Sequence, residues 1–112
     1  MMDAQQISTG ILYHVTIGSN VDNIWASGID PNYSTGKLDA AWYITKENIL
    51  WAICHVASRH GCLMDDIFVC SVLVEHKAMR GTCRKGIYYT KSCFFAETIN
   101  PAAWFIDQES SK

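Results

Sequence analysis

One stretch limits the fold of this chain more than any other. Ile67-Phe68-Val69-Cys70-Ser71-Val72-Leu73-Val74 is nearly continuous in apolar residues. A run of that kind is expected at the centre of a sheet, where neither face meets water. Its partners are shorter β-rich runs at Ile11–Val15, Ala41–Thr45 and Gly86–Thr90. Cys93–Ile99 reads as a last strand or a bend, broken by Asn100-Pro101.

Two helical patterns separate these runs. Ser19 or Asn20 can cap a short helix carrying Val21, Ile24 and Trp25, which Gly28 ends in a left-handed position. Ile49, Leu50, Ala52, Ile53, Val56 and Ala57 make the best helical face, with Thr45 as its cap. Gly61 closes that helix, and Arg59 and His60 lie in its last turn, where the dipole favours cations. Met64-Asp65-Asp66 reads as a turn. Glu75–Lys85 reads as a polar connection with a helical turn at Lys77-Ala78-Met79. Ala102–Ile106 reads as a short strand or a helical tail. The expectation is an α+β domain over residues 11–106, with a flexible arm at 1–10 and a flexible tail at 107–112.

Composition supports a single globular domain. The chain has 112 residues, 49% of them hydrophobic and 18% charged, enough for a core without staples. A net charge of −2 excludes a general nucleic-acid coat. A local basic cluster remains at Lys77, Arg80, Arg84 and Lys85, either a solvated loop or a receiver of phosphate groups. Five cysteines, an odd number without C-x-x-C spacing, argue against a disulfide framework or a zinc ribbon. Reduced thiols and a cytoplasmic setting are expected. The N-terminus has no apolar signal-like region, and no run is long enough to span a membrane.

Most familiar catalytic motifs are missing. There is no G-x-S-x-G elbow, P-loop or G-x-G-x-x-G, and no histidine pair at metal-binding spacing. Ser34-Thr35-Gly36-Lys37 is a plain turn or a phosphate contact. His14 and Tyr43 remain, each inside a β-rich run. A strand-borne His can hydrogen-bond a sugar hydroxyl through either ring nitrogen, and a Tyr can stack on a flat heteroaromatic ring. Each can equally be a core residue.

Leu12-Tyr13-His14-Val15-Thr16, the helix after it, Gly28-Ile29-Asp30-Pro31 and Gly36-Lys37-Leu38-Asp39-Ala40-Ala41-Trp42-Tyr43-Ile44-Thr45 resemble the first half of the ADP-ribosyltransferase-like fold. The similarity is to its His/Tyr branch, which holds the PARP-like enzymes and the RNA 2′-phosphotransferases. Trp51–His60, Ile67–Val74, Gly86–Thr90 and Ala96–Ile99 resemble the elements that follow, so the likeness spans residues 11 to 100. The resemblance implies a small split antiparallel sheet with two short helices. It implies NAD as cofactor and transfer of ADP-ribose to a protein or nucleic-acid acceptor, by attack at the nicotinamide ribose C1′ through an oxocarbenium-like state.

By position, His14, Thr16, Tyr43, Ser34 and Arg84 would bind the nucleotide. His14, Tyr43 and Glu97 would be catalytic, with Tyr43 stacked on nicotinamide. The family's closing-strand glutamate has no counterpart in Arg84-Lys85-Gly86-Ile87-Tyr88, and Glu97 is the nearby carboxylate. That departure leaves open a transferase that works with a different acid, and two alternatives besides. One is a non-catalytic module of the same fold that binds an NAD-derived nucleotide or a macromolecular partner. The other is RNA 2′-phosphotransfer, with Arg80 or Arg84 on a phosphate.

Overall fold

The structure, a computed structural model, describes residues 9–31 and 40–110. The sheet is built on two nine-residue strands, β1 (Thr9–Ile17) and β3 (Ile67–Glu75), which pair antiparallel along their whole length, from Thr9↔Glu75 to Ile17↔Ile67. Around them lie β2 (Ala41–Ile44), β4 (Arg80–Gly81), β5 (Ile87–Thr90) and β6 (Ala96–Pro101). The strand order is β4-β5-β2-β1-β3-β6, and every pairing is antiparallel. Three helices accompany the sheet: α1 (Val21–Ser27), α2 (Ile49–His60) and α3 (Ala102–Ser110).

The α+β class agrees with the sequence, and the details correct it in several places, beginning with β1, which starts at Thr9 inside the arm expected at residues 1–10. The sheet is one continuous set of six strands instead of two halves. A division survives only between β1 and β2, which share the single registered pair Tyr13↔Ile44 and then part. The described residues hold three helices against the two expected, and the third, α3, continues to Ser110 through the boundary expected at residue 107. Asn100 and Pro101 close β6 instead of breaking it; β6 is an edge strand, where proline is tolerated. Thr45 does not cap α2. A 3₁₀ turn, Lys46–Asn48, intervenes, and the Thr45 hydroxyl accepts from Asn48 Nδ2 at 3.0 Å.

Both faces of β3 are covered over most of its length, which explains why the run from Ile67 to Val74 is nearly continuous in apolar residues; within it Leu73 is exposed. Ile67 and Val69 face a cluster completed by Ile44, Ile53, Ile87 and Ala102, against α2 and α3. Cys70, Val72 and Val74 face the opposite cluster with Ile24, Ile29, Ala41 and Tyr43. Alternate residues of one strand thus serve two cores, as a pleat of period two requires. Ile53, Ile67, Val69, Val72 and Val74 are fully buried.

Gly61 ends α2 in the left-handed conformation, at φ 63°, ψ 29°. Gly28 ends α1 differently, at φ 82° with ψ −178°, a region open in practice only to glycine. It turns the chain so that Ile29 bridges Phe94, with Ile29 N–H donating to the Phe94 carbonyl at 2.8 Å. That turn brings residues 28–30 toward the place where β1 and β2 separate.

Candidate functional site

Where β1 and β2 part, the sheet forks. β1 runs on through Val15–Ile17 with β3 alone, while β2 stays with β5. The fork opens a cavity of about 1050 Å³, just above the usual range for small-molecule sites. Residues 13–17 of β1 form one wall and Ala40–Trp42 the other. α1 and its exit contribute Asn23, Ile24 and Gly28–Asp30. α2 contributes Trp51, His55 and Arg59, three residues at i, i+4 and i+8 on one helix stripe, together with Ala52, Val56 and His60.

His14 spans the fork. Its Nδ1 lies 2.8 Å from the carbonyl oxygen of Trp42. A carbonyl only accepts, so Nδ1 carries the proton and Nε2 is the acceptor of the neutral ring. The imidazole takes the place a backbone donor would hold if the β1–β2 ladder continued. Loss of water around the ring lowers its pKa below the ordinary histidine value, opposed in part by the bond to Trp42. His14 is therefore neutral near pH 7, and Nε2 is the ring nitrogen left for a ligand donor.

Thr16 follows on the same face. It is buried and lines the cavity, and its hydroxyl oxygen accepts from Asn20 Nδ2 at 2.9 Å. The hydroxyl proton is still available to donate.

The structure brings Tyr43 to His14, with ring centroids 5.6 Å apart and planes inclined at 48°. Yet Tyr43 is fully buried and does not line the cavity. It belongs to the core, edge-on to Phe94 at 6.3 Å. Burial pushes its phenol pKa well up, with Cys93 and Cys70 adding to the shift. Its hydroxyl has no hydrogen-bond partner among the described residues. The stacking role expected of Tyr43 is not available in this arrangement; the ring backs His14 instead.

The remaining expected residues separate. Glu97 is exposed on β6, at the register shift opposite Ser71/Val72. Two strand spacings, about 10 Å, lie between β6 and β1, and Glu97 does not line the cavity. Arg84 is exposed beyond the cavity wall, its guanidinium carbon 4.4 Å above the Trp51 ring. Ser34 lies outside the described residues.

Four contributors escaped the sequence reading. Asp30 is the one carboxylate lining the cavity among the described residues. Trp42, 40% exposed, turns its ring toward Tyr89, centroids 5.2 Å apart. Trp51 and His55 stack at 5.0 Å with planes 13° apart. The i, i+4, i+8 spacing of Trp51, His55 and Arg59 was the signal available for the helix stripe. Among the described residues no three His, Cys, Asp or Glu side chains gather as a metal-ligand set, and no helix is long and apolar enough to cross a membrane.

No family model, no curated protein and no solved structure matches this chain.

Proposed function

We propose that this chain is an NAD-dependent ADP-ribosyltransferase-like enzyme whose nucleotide site is the fork between β1, β2 and α2. One observation carries the reading: a neutral His14 with Nδ1 committed to Trp42, so that Nε2 can accept at the wall of a cavity of dinucleotide size. A ribose hydroxyl supplies the matching donor. Thr16, held by Asn20, offers a second polar contact beside it. Trp42 and Trp51 give the cavity flat surfaces for a heteroaromatic ring. Tyr43 acts as a positioning residue for His14.

NAD bound there supplies an ADP-ribosyl group on a good leaving group, nicotinamide. The chain contributes binding, orientation and exclusion of water by α2. Asp30, the carboxylate at the cavity, is the candidate to hold a ribose hydroxyl or take the acceptor's proton. The reading carries a cytoplasmic setting with it, in keeping with five free thiols.

A second reading has an observation of its own. The expected catalytic Glu97 stands away from His14 on an edge strand, which favours a non-catalytic module that binds an NAD-derived nucleotide. Calorimetric titration with NAD and with ADP-ribose, with free nicotinamide assayed in the same mixture, separates the two. Binding with nicotinamide release supports the enzyme. Binding of both ligands without release supports the module. Binding of neither overturns both.

A further inference from the structure

A row of side chains on the α2 face of the sheet starts at Trp42 in the cavity wall and runs outward beyond the nucleotide site. Arg80 on β4 pairs with Tyr89 on β5, and Tyr89 pairs with Trp42 on β2. Residues opposite one another on a ladder project from the same face. Ile44 and Ile87, two residues along from Trp42 and Tyr89, belong to the core beneath α2, so the row lies on that face. Tyr89 is half-buried and Arg80 exposed. The Trp51–His55 stack adds a second aromatic pair from α2, with the Arg84 guanidinium over the Trp51 ring. Trp42, Trp51 and His55 reach the cavity wall, whereas Arg80, Tyr89 and Arg84 do not.

Aromatic rings interleaved with cations suit one chemistry well. Bases stack on the rings, and the phosphates between them meet the cations. A guanidinium that stacks by its face still donates along its edge, which is how arginine takes phosphate. Glu47 sits beside Lys46 and Lys85 and offsets part of the charge there. With a chain charge of −2, the footprint must be short.

We propose that this face docks the end of a single-stranded nucleic acid, two or three nucleotides, at the mouth of the cavity. Stacking on Trp42 and Tyr89 places the strand's end beside the fork, with Arg80 and Arg84 on its phosphates. Its role as ADP-ribose acceptor rests on the transferase reading above; the docking does not. Two phosphate contacts give a shallow salt dependence, a log–log slope of about −1.4 for a single strand.

The test uses a fluorescein-labelled six-nucleotide strand, as DNA and as RNA, and a hairpin duplex of the same sequence. Anisotropy and tryptophan quenching are followed between 50 and 200 mM salt, roughly the range over which phosphate contacts register. The expected result is single-strand binding with quenching, and weaker duplex binding. Tyr89→Ala should weaken it by about 5- to 150-fold. Arg80→Ala and Arg84→Ala should each flatten the slope by about 0.7. Both arginines are exposed, so these variants keep the test valid if Tyr89→Ala fails to fold. Lys91→Ala, also exposed, should change nothing. Absence of binding, equal affinity for the duplex, or indifference to both arginine variants would overturn the proposal. NAD titration of the same proteins keeps the two readings apart. Wild-type protein that binds the strand but not NAD refutes the nucleotide site alone, wild-type protein that binds NAD but not the strand refutes the docking face alone, and variants that lose the strand while keeping NAD support the docking face.

Discussion

Tyr43→Phe removes one atom, the buried hydroxyl oxygen that has no partner among the described residues. The ring stays, with its contacts to His14 at 5.6 Å and Phe94 at 6.3 Å, so no cavity term arises. A buried, unsatisfied polar group costs about 1–3 kcal/mol. The variant is therefore expected to be more stable than wild type by about 1 kcal/mol or more, raising Tm by roughly 4 °C in a domain of this size.

The pH dependence adds an independent reading. The folded-state pKa of Tyr43 lies above its unfolded value near 10. The folded state thus holds the proton more tightly, and the stability this gives is complete below about pH 10 and lost as pH rises further. Cys70, its thiol pushed up to about 12 by burial, acts in the same direction from the ordinary thiol range upward and is unchanged in the variant. Urea denaturation by circular dichroism at neutral and alkaline pH should show the variant ahead at pH 7, and further ahead above pH 10. A loss exceeding about 1 kcal/mol at neutral pH would refute the reasoning, since it would mean the hydroxyl makes a hydrogen bond in solution.

Other predictions follow from the same geometry. The lowered pKa of His14 makes its contribution to stability present above the unfolded value of about 6.5 and lost as pH falls below it; urea midpoints between pH 5 and 7.5 should fall less steeply in His14→Gln than in wild type. Gly28→Ala puts a Cβ 2.8 Å from Cys93 Sγ and 3.0 Å from the Phe94 carbonyl oxygen, in backbone at φ 82°, and thermal melts should show a loss of at least about 1–3 kcal/mol. Ile53→Ala, on the buried face of α2, should cost about 2–5 kcal/mol in chemical denaturation.

The fold was legible where one principle acted alone. The apolar run at Ile67–Val74 marked the central strand because both its faces are covered, and α2 was legible from its apolar spacing and from Gly61. Edges were harder to read. The two-residue β4 carries no pattern of its own and exists by pairing Arg80 and Gly81 with β5. Pro101 read as a breaker because sequence does not reveal which strand will lie at an edge. In the site, His14 was legible as a polar residue inside an apolar strand. The burial of Tyr43 was not, since a tyrosine lining a cleft and a tyrosine filling a core occupy the same strand position. Glu97 was singled out as the nearest carboxylate along the chain. Asp30 reaches the cavity because Gly28 turns the chain back toward the fork, and that turn depends on a backbone conformation with no signature beyond the glycine itself.

The central claim is that the His14 imidazole, neutral and protonated at Nδ1, receives the nucleotide at the fork. Nitrogen-15 chemical shifts of the histidine rings, followed while NAD is titrated and assigned with His14→Gln, test it most directly. The expected result is a neutral Nδ1–H tautomer for His14 in the free protein, and a saturable shift at Nε2 as a ligand hydroxyl donates to it. An Nε2–H tautomer in the free protein, or a His14 signal unmoved at saturating NAD, would contradict the account.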